Sequence, residues 1–101
     1  MSIKKQFLKS KPVCKVSFKV SKADAASASE IAIVGDFNAW DPKANTMNQL
    51  KDGSFSLTIE LDAPGNYRFR YLADNNRWFD ETEADGQEAN EFGTINNLLN
   101  L

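Results

Sequence analysis

Histidine is absent from this 101-residue chain, cysteine occurs once, and glycine and proline are sparse at five and three residues. Without histidine, the side chain that ordinarily titrates near neutral pH is missing, and so is the commonest ligand of transition metals. The lone Cys14 has neither a disulfide partner within the chain nor a histidine to activate it as a nucleophile. It sits among apolar residues of an expected strand, where a small buried thiol fits. No apolar run approaches the length of a membrane-spanning helix. Met1 to Pro12 lacks the continuous hydrophobic region and small-residue cleavage site of a secretory signal, so the expectation is a cytoplasmic protein without a membrane partner. A formal charge of −2 supplies no basic field for phosphates, which argues against nucleic acid as a partner. Basic residues are otherwise scattered, and the crowding of Lys4, Lys5, Lys9 and Lys11 at the N-terminus reads as a solvated tail.

What is present is the composition of one globular domain: 42% hydrophobic, 26% charged and 11% aromatic residues. There is no internal repeat and no linker. The chain divides into a leading segment or tail, 1–12, and one module, 13–101. Val13 to Val20 alternates, with Cys14, Val16, Phe18 and Val20 on one face and Lys15, Ser17 and Lys19 on the other, the pattern of a half-buried strand. Ser21 to Ser29, small and polar, predicts a loop or a short helical turn. Ile31, Ile33 and Val34 form a more continuous run suited to a central strand. Gly35 to Pro42 carries turn-forming residues around Phe37 and Trp40 and predicts an ordered, exposed turn. Lys51-Asp52-Gly53 is a hairpin signal. Phe55, Leu57, Ile59 and Leu61 then share one strand face, and after Ala63-Pro64-Gly65 the residues Tyr67, Phe69 and Tyr71 share another, which puts Arg70 outward. Asp74-Asn75-Asn76 turns the chain into Arg77-Trp78-Phe79. Asp80 to Glu91 is acidic and without periodicity, and a last strand runs from Thr94 to Leu101. Short strands between regular turns, with no long amphipathic helix, predict an all-β antiparallel sandwich.

The inventory for catalysis is poor. Asp36, Asp41, Asp80 and Glu81 are carboxylates of the type that hydrolyse glycosides, but nothing in their spacing requires a pair across a cleft. The acidic run Asp80, Glu81, Glu83, Asp85, Glu88 and Glu91 lacks the alternation of a calcium loop and reads as a solubilising loop. Neither a metal nor a cofactor is implied, and the expectation is a non-enzyme. Sugar recognition needs exposed aromatic rings for the C–H faces of pyranoses and polar side chains for their hydroxyl rims. Trp40 in its Asp/Asn/Pro turn and Trp78 after its Asn-Asn turn suit that role. They suit equally well the burial of two large rings at the ends of a sandwich.

Val34-Gly35-Asp36-Phe37-Asn38-Ala39-Trp40-Asp41-Pro42, then Gly65-Asn66-Tyr67-Arg68-Phe69-Arg70-Tyr71, then Trp78, then Phe92-Gly93-Thr94-Ile95-Asn96-Asn97 together carry a resemblance. In their order and spacing the chain resembles the glycogen-binding carbohydrate-binding module of the β subunit of AMP-activated protein kinase. The same module, isoamylase N-terminal-like, stands at the N-termini of branching and debranching enzymes. The resemblance spans roughly Val13 to Leu101. It implies an immunoglobulin-like β-sandwich of the early-set type, with the glucan lying across one face. It also implies that Trp40 and Trp78 are stacking platforms. Arg70 falls where sugar-binding members carry a lysine, as a donor to glucose hydroxyls. Phe92 falls where leucine is usual, against or threaded through the glucan, and Thr94 and Asn96 fall on polar contact positions of the last strand. The function implied is non-catalytic binding of an α-1,4-glucan: glycogen, starch or a maltooligosaccharide. The alternative is a docking module for a separate glycan-active enzyme or kinase subunit, using an apolar patch that includes Phe79 and Phe92.

Overall fold

A computed structural model of the chain describes residues 2–101. The hairpins expected from alternation and turn chemistry assemble two antiparallel sheets. One sheet holds β1 (Ser2–Phe7), β2 (Val13–Val20), β5 (Phe55–Asp62) and the short β4 (Asn48–Gln49), in the order β1-β2-β5-β4. The other holds β3 (Ile31–Gly35), β6 (Asn66–Ala73), β9 (Ile95–Asn100) and β8 (Gly86–Ala89), in the order β3-β6-β9-β8. A final strand, β7 (Arg77–Phe79), also pairs with β6. Strands β9 and β7 follow one another along the same edge of β6, because β9 pairs with its Asn66–Phe69 half and β7 with its Tyr71–Ala73 half. The all-β antiparallel sandwich is therefore the fold. A four-residue helix, α1 (Lys22–Ala25), fills the Ala/Ser-rich segment, capped by the Ser21 hydroxyl accepting from the Asp24 amide at 3.2 Å. Among the described residues no helix is long and apolar enough to cross a membrane.

Period-two alternation fills the space between the sheets. Cys14, Val16, Phe18 and Val20 of β2 and Phe55 and Leu61 of β5 meet Ile31, Ile33, Phe69, Tyr71 and Leu99 from the other sheet, all buried. Each large side chain taken from water there contributes on the order of 1.5–3 kcal/mol. The edge-to-face contact Phe18–Phe69, at 5.3 Å, joins the two layers, and Phe69 meets Tyr71 of its own strand edge-to-face at 5.7 Å.

Three local expectations change. The leading segment is no solvated tail: Ser2 to Phe7 pairs residue by residue with β2, from Ser2 opposite Lys19 to Phe7 opposite Cys14. Lys5 is held there by both carboxylate oxygens of Asp85, at 2.8 and 2.6 Å. Strand β3 is not central. It ends its sheet's hydrogen-bonded order, and its five residues are all buried because Asn45–Met47 covers its outer edge, with Ile33 N–H donating to Asn45 O and Met47 N–H to Ile31 O at 2.9 and 2.8 Å. The acidic stretch, finally, contains β8 and a fully buried carboxylate. Glu81 accepts from the Tyr71 hydroxyl at 2.8 Å and from the Glu83 amide at 2.9 Å. Burial, then the Glu81 charge and this hydrogen bond, push the Tyr71 phenol well above its ordinary pKa.

Candidate functional site

The outer face of the β3-β6-β9-β8 sheet gathers the predicted residues. On its β3 side, Gly35 lets the chain leave the sheet at close quarters: a Cβ there would lie 2.5 Å from Arg68 O, so only glycine fits. A single 3-10 turn, Asp36–Asn38, follows. Ala39 and Trp40 then both take left-handed φ angles, 56° and 58°, and the Trp40 amide donates back to Gly35 O at 2.9 Å. The Asn38 carboxamide pins this turn, donating to Ile33 O and Asn45 Oδ1 at 2.9 and 2.7 Å and accepting from the Gly35 amide at 3.1 Å. Asp36 is the second pin. Its Oδ1 accepts from Trp40 Nε1 and its Oδ2 from the Arg68 amide, both at 2.9 Å. The indole of Trp40 lies half-buried against Ala32, Val34 and Leu72, outward-facing residues of β3 and β6.

Trp78 stands opposite Leu72 on β7 and so shares that outer face, with 44% of its surface exposed. The Arg70 guanidinium carbon lies 5.2 Å from the centroid of the Trp78 ring, a cation–π contact that orients both groups. Arg70 Nε is 3.5 Å from Asp80 Oδ1, an ion pair in which neither buried atom makes a hydrogen bond. Arg70 is thus outward, as alternation predicts, but its side chain is only 14% exposed because Trp78 and Asp80 hold it down. Along the same edge, the turn between β8 and β9 projects Phe92, 82% exposed.

Asn90 builds that turn. Its Oδ1 accepts from the amides of Phe92 and Thr94, at 2.9 and 3.2 Å, while its Nδ2 donates to Thr94 Oγ1 and Asn96 Oδ1, at 2.7 and 3.2 Å. Gly93 takes the left-handed angle, φ 79°, that closes the loop. Phe92 is exposed on a turn that the Asn90 side chain braces.

Trp40, Arg70, Trp78, Phe92, Thr94 and Asn96, every candidate from the sequence, line one open groove of about 760 Å³. Asp36, Arg68, Glu88 and Asn90 line it too, outside the expected set. Arg68 joins the two sides, its Nε donating to Glu88 Oε1 at 2.7 Å with Asp36 Oδ2 3.9 Å from its Nη1, and the Glu88 bond holds the guanidinium further in its charged form. Strand alternation puts Arg68 outward beside Arg70, a signal available in the sequence. The role of Asn90 was signalled only by an Asn-x-x-Gly turn. Phe79 does not join Phe92 in an outer patch: it faces inward, stacked on Tyr71 with centroids 5.0 Å apart. Among the described residues no three His, Cys, Asp or Glu side chains gather as a metal centre.

Two indoles and a phenyl ring on a shallow groove, bordered by guanidinium, carboxamide, hydroxyl and carboxylate groups, make a site that matches the flat C–H faces and polar rims of sugars. Fold and groove together define a small β-sandwich with an aromatic groove on one outer face. Residues 24–101 match the family described as the glycogen recognition site of AMP-activated protein kinase, and the chain belongs to that family of carbohydrate-binding modules. Over 46 residues it is also 39% identical to the 1,4-alpha-glucan branching enzyme GlgB of Photobacterium profundum. That stretch is 45% of this chain but only 6% of the relative, so the chain spans a small part of the enzyme it matches.

Proposed function

We propose that this module binds α-1,4-glucan without catalysis, stacking glucose rings on Trp40 and Trp78 while Phe92 packs against the opposite side of the chain. Arg70, Thr94 and Asn96 hydrogen-bond the hydroxyl rim. The observation that carries this reading is the convergence of both tryptophans and Phe92 on one groove from three separate elements. Exposed aromatics on pre-formed supports bind at low entropic cost. Arg70 is already fixed by Trp78 and Asp80, so little of its mobility remains to be lost. Glycogen, starch and maltooligosaccharides all present the internal units this groove accommodates, and a glycan-active enzyme working on the same polymer is the partner this reading suggests.

Native affinity electrophoresis through glycogen tests it. The wild-type module is expected to be retarded, and Trp40→Ala and Trp78→Ala each to run as if glycogen were absent, with circular dichroism showing that both remain folded. Retardation surviving in both variants would remove the tryptophans from the site.

A further inference from the structure

The charge of this chain is strongly segregated. Seven of its twelve Lys and Arg residues, and none of its fourteen Asp and Glu, precede Asp24. The first 23 residues therefore carry a formal +7, and the remainder, with five cations against fourteen acids, −9, together the net −2. The family match begins at residue 24, so β1 and β2 with their lysines lie outside it.

Register fixes where these lysines point. Lys4 stands opposite Ser17, which stands opposite Thr58; one row along, Ser2 stands opposite Lys19, which stands opposite Ser56. Residues directly opposite one another share a sheet face. Because Val16, Phe18 and Val20 point into the core, both rows face away from it, on the opposite side of the sandwich from the tryptophan groove. These six side chains line a shallow depression of about 410 Å³ in which no carboxylate takes part. The Ser17 and Thr58 hydroxyls at its floor are 2.9 Å apart. Lys5, Arg68 and Arg70 each have an acidic partner, whereas Lys4 and Lys19 have no ion pair among the described residues. Lys19 does feel the charge of Asp52, but at a distance beyond an ion pair, and Asp52 Oδ1 accepts from the Ser54 amide and hydroxyl at 2.9 and 2.6 Å.

Two unpaired ammonium groups over four hydroxyls suit a compact oxyanion whose terminal oxygens accept several hydrogen bonds. The two apolar residues that complete the lining, Phe18, fully buried, and Leu57, half-buried against the core, present no exposed ring on which a nucleobase would stack. We propose that this depression is a binding site for the phosphoryl group of a sugar phosphomonoester. The phosphoryl group comes either from a phosphorylated glucan or from a free sugar phosphate. In the first case, which rests on the α-glucan reading, the sandwich grips glucan on both outer faces, neutral units on the tryptophans and phosphorylated ones on the lysines.

The test is amide-resolved NMR of the whole chain titrated with glucose 6-phosphate, with sulfate at matched ionic strength as control. Saturable shifts are expected at Ser17 and Thr58 in the millimolar range typical of a shallow, solvated site, on the order of 1 mM. The Lys4→Gln/Lys19→Gln variant is expected to bind about tenfold more weakly or worse, and Lys43→Gln, on another face, to behave as wild type. Equal shifts with sulfate, or none with glucose 6-phosphate, would overturn the site. Maltoheptaose shifts at Trp40 and Trp78 are read separately and should be indifferent to Lys4→Gln/Lys19→Gln. Their absence beside an intact glucose 6-phosphate response would sink the groove reading and leave the anion site standing. Stronger binding of phosphorylated amylopectin than of its phosphatase-treated form, lost in the double lysine variant, assigns the phosphoryl group to a glucan. Equal binding of the two polymers with the glucose 6-phosphate response retained assigns the site to the free sugar phosphate.

Discussion

Asn90 makes more side-chain hydrogen bonds than any aromatic residue it supports, and they converge on the loop that carries Phe92. Its proposed role is to keep Phe92 raised over the groove before a ligand arrives. Ordering such a side chain on binding would otherwise cost roughly 0.5–1.5 kcal/mol. Asn90→Ala is expected to weaken maltoheptaose binding about fivefold by calorimetry, and most of that loss should vanish in a Phe92→Ala background. An equal loss in both backgrounds would mean that Asn90 acts elsewhere. Tyr71 and Glu81 make the opposite case, a buried polar pair with no access to ligand. Tyr71→Phe removes the hydroxyl donor from a carboxylate shut away from water, which costs about 1–3 kcal/mol. Urea unfolding should report that loss while glucan binding stays unchanged; a midpoint shift near zero would show that Glu81 does not depend on Tyr71. Both tryptophans were legible as candidates because large rings stood among turn residues. Asn90 and Glu81 were not, because an asparagine in a turn and a glutamate in an acidic run look the same whether solvated or bonded.

Strands β1 and β8 show how hydrogen bonding to one carboxylate can organise segments without strong apolar patterns. Asp85, just before β8, accepts from Lys5 of β1 and from the Asn100 amide of β9, joining three strands at the open side of the sandwich. Burial alone would raise the pKa of Asp85, but the hydrogen bonds from Lys5 and Asn100 and the Lys5 charge outweigh it and hold the carboxyl below its ordinary 3.8. A depressed folded pKa means stability that is present above the unfolded value and is lost as the pH falls through the folded one. The pair is partly exposed, so its contribution is on the order of 0.2–1 kcal/mol. Asp85→Asn is therefore expected to be slightly less stable than wild type above about pH 5 and to converge with it in stronger acid. A constant difference at all pH values would contradict the assignment. Strands β2, β5 and β6 were readable because alternating residues divide cleanly between core and solvent. Strand β1 was hidden by its lysines: one of them, Lys5, points toward the interior side and reaches a carboxylate at its rim, so charge there does not mark solvent.

The two sheets turn unlike faces outward. One carries the aromatic groove bordered by Asp36, Glu88 and Glu91, and the other carries lysines and hydroxyls. The sandwich could be read from the spacing of strands and turns, whereas the convergence of residues as distant as Trp40 and Asn96 depends on β6 lying between β3 and β9. Pairing order of that kind is not written in any local pattern. Titration of the purified chain with maltoheptaose, followed by tryptophan fluorescence with cellohexaose as control, tests whether the groove reads α-linked glucose. A saturable change with maltoheptaose and none with cellohexaose is the expected result, since both rings that report are those proposed to stack. An unchanged spectrum with maltoheptaose, or an equal response to both sugars, would contradict the assignment of this groove to α-glucan.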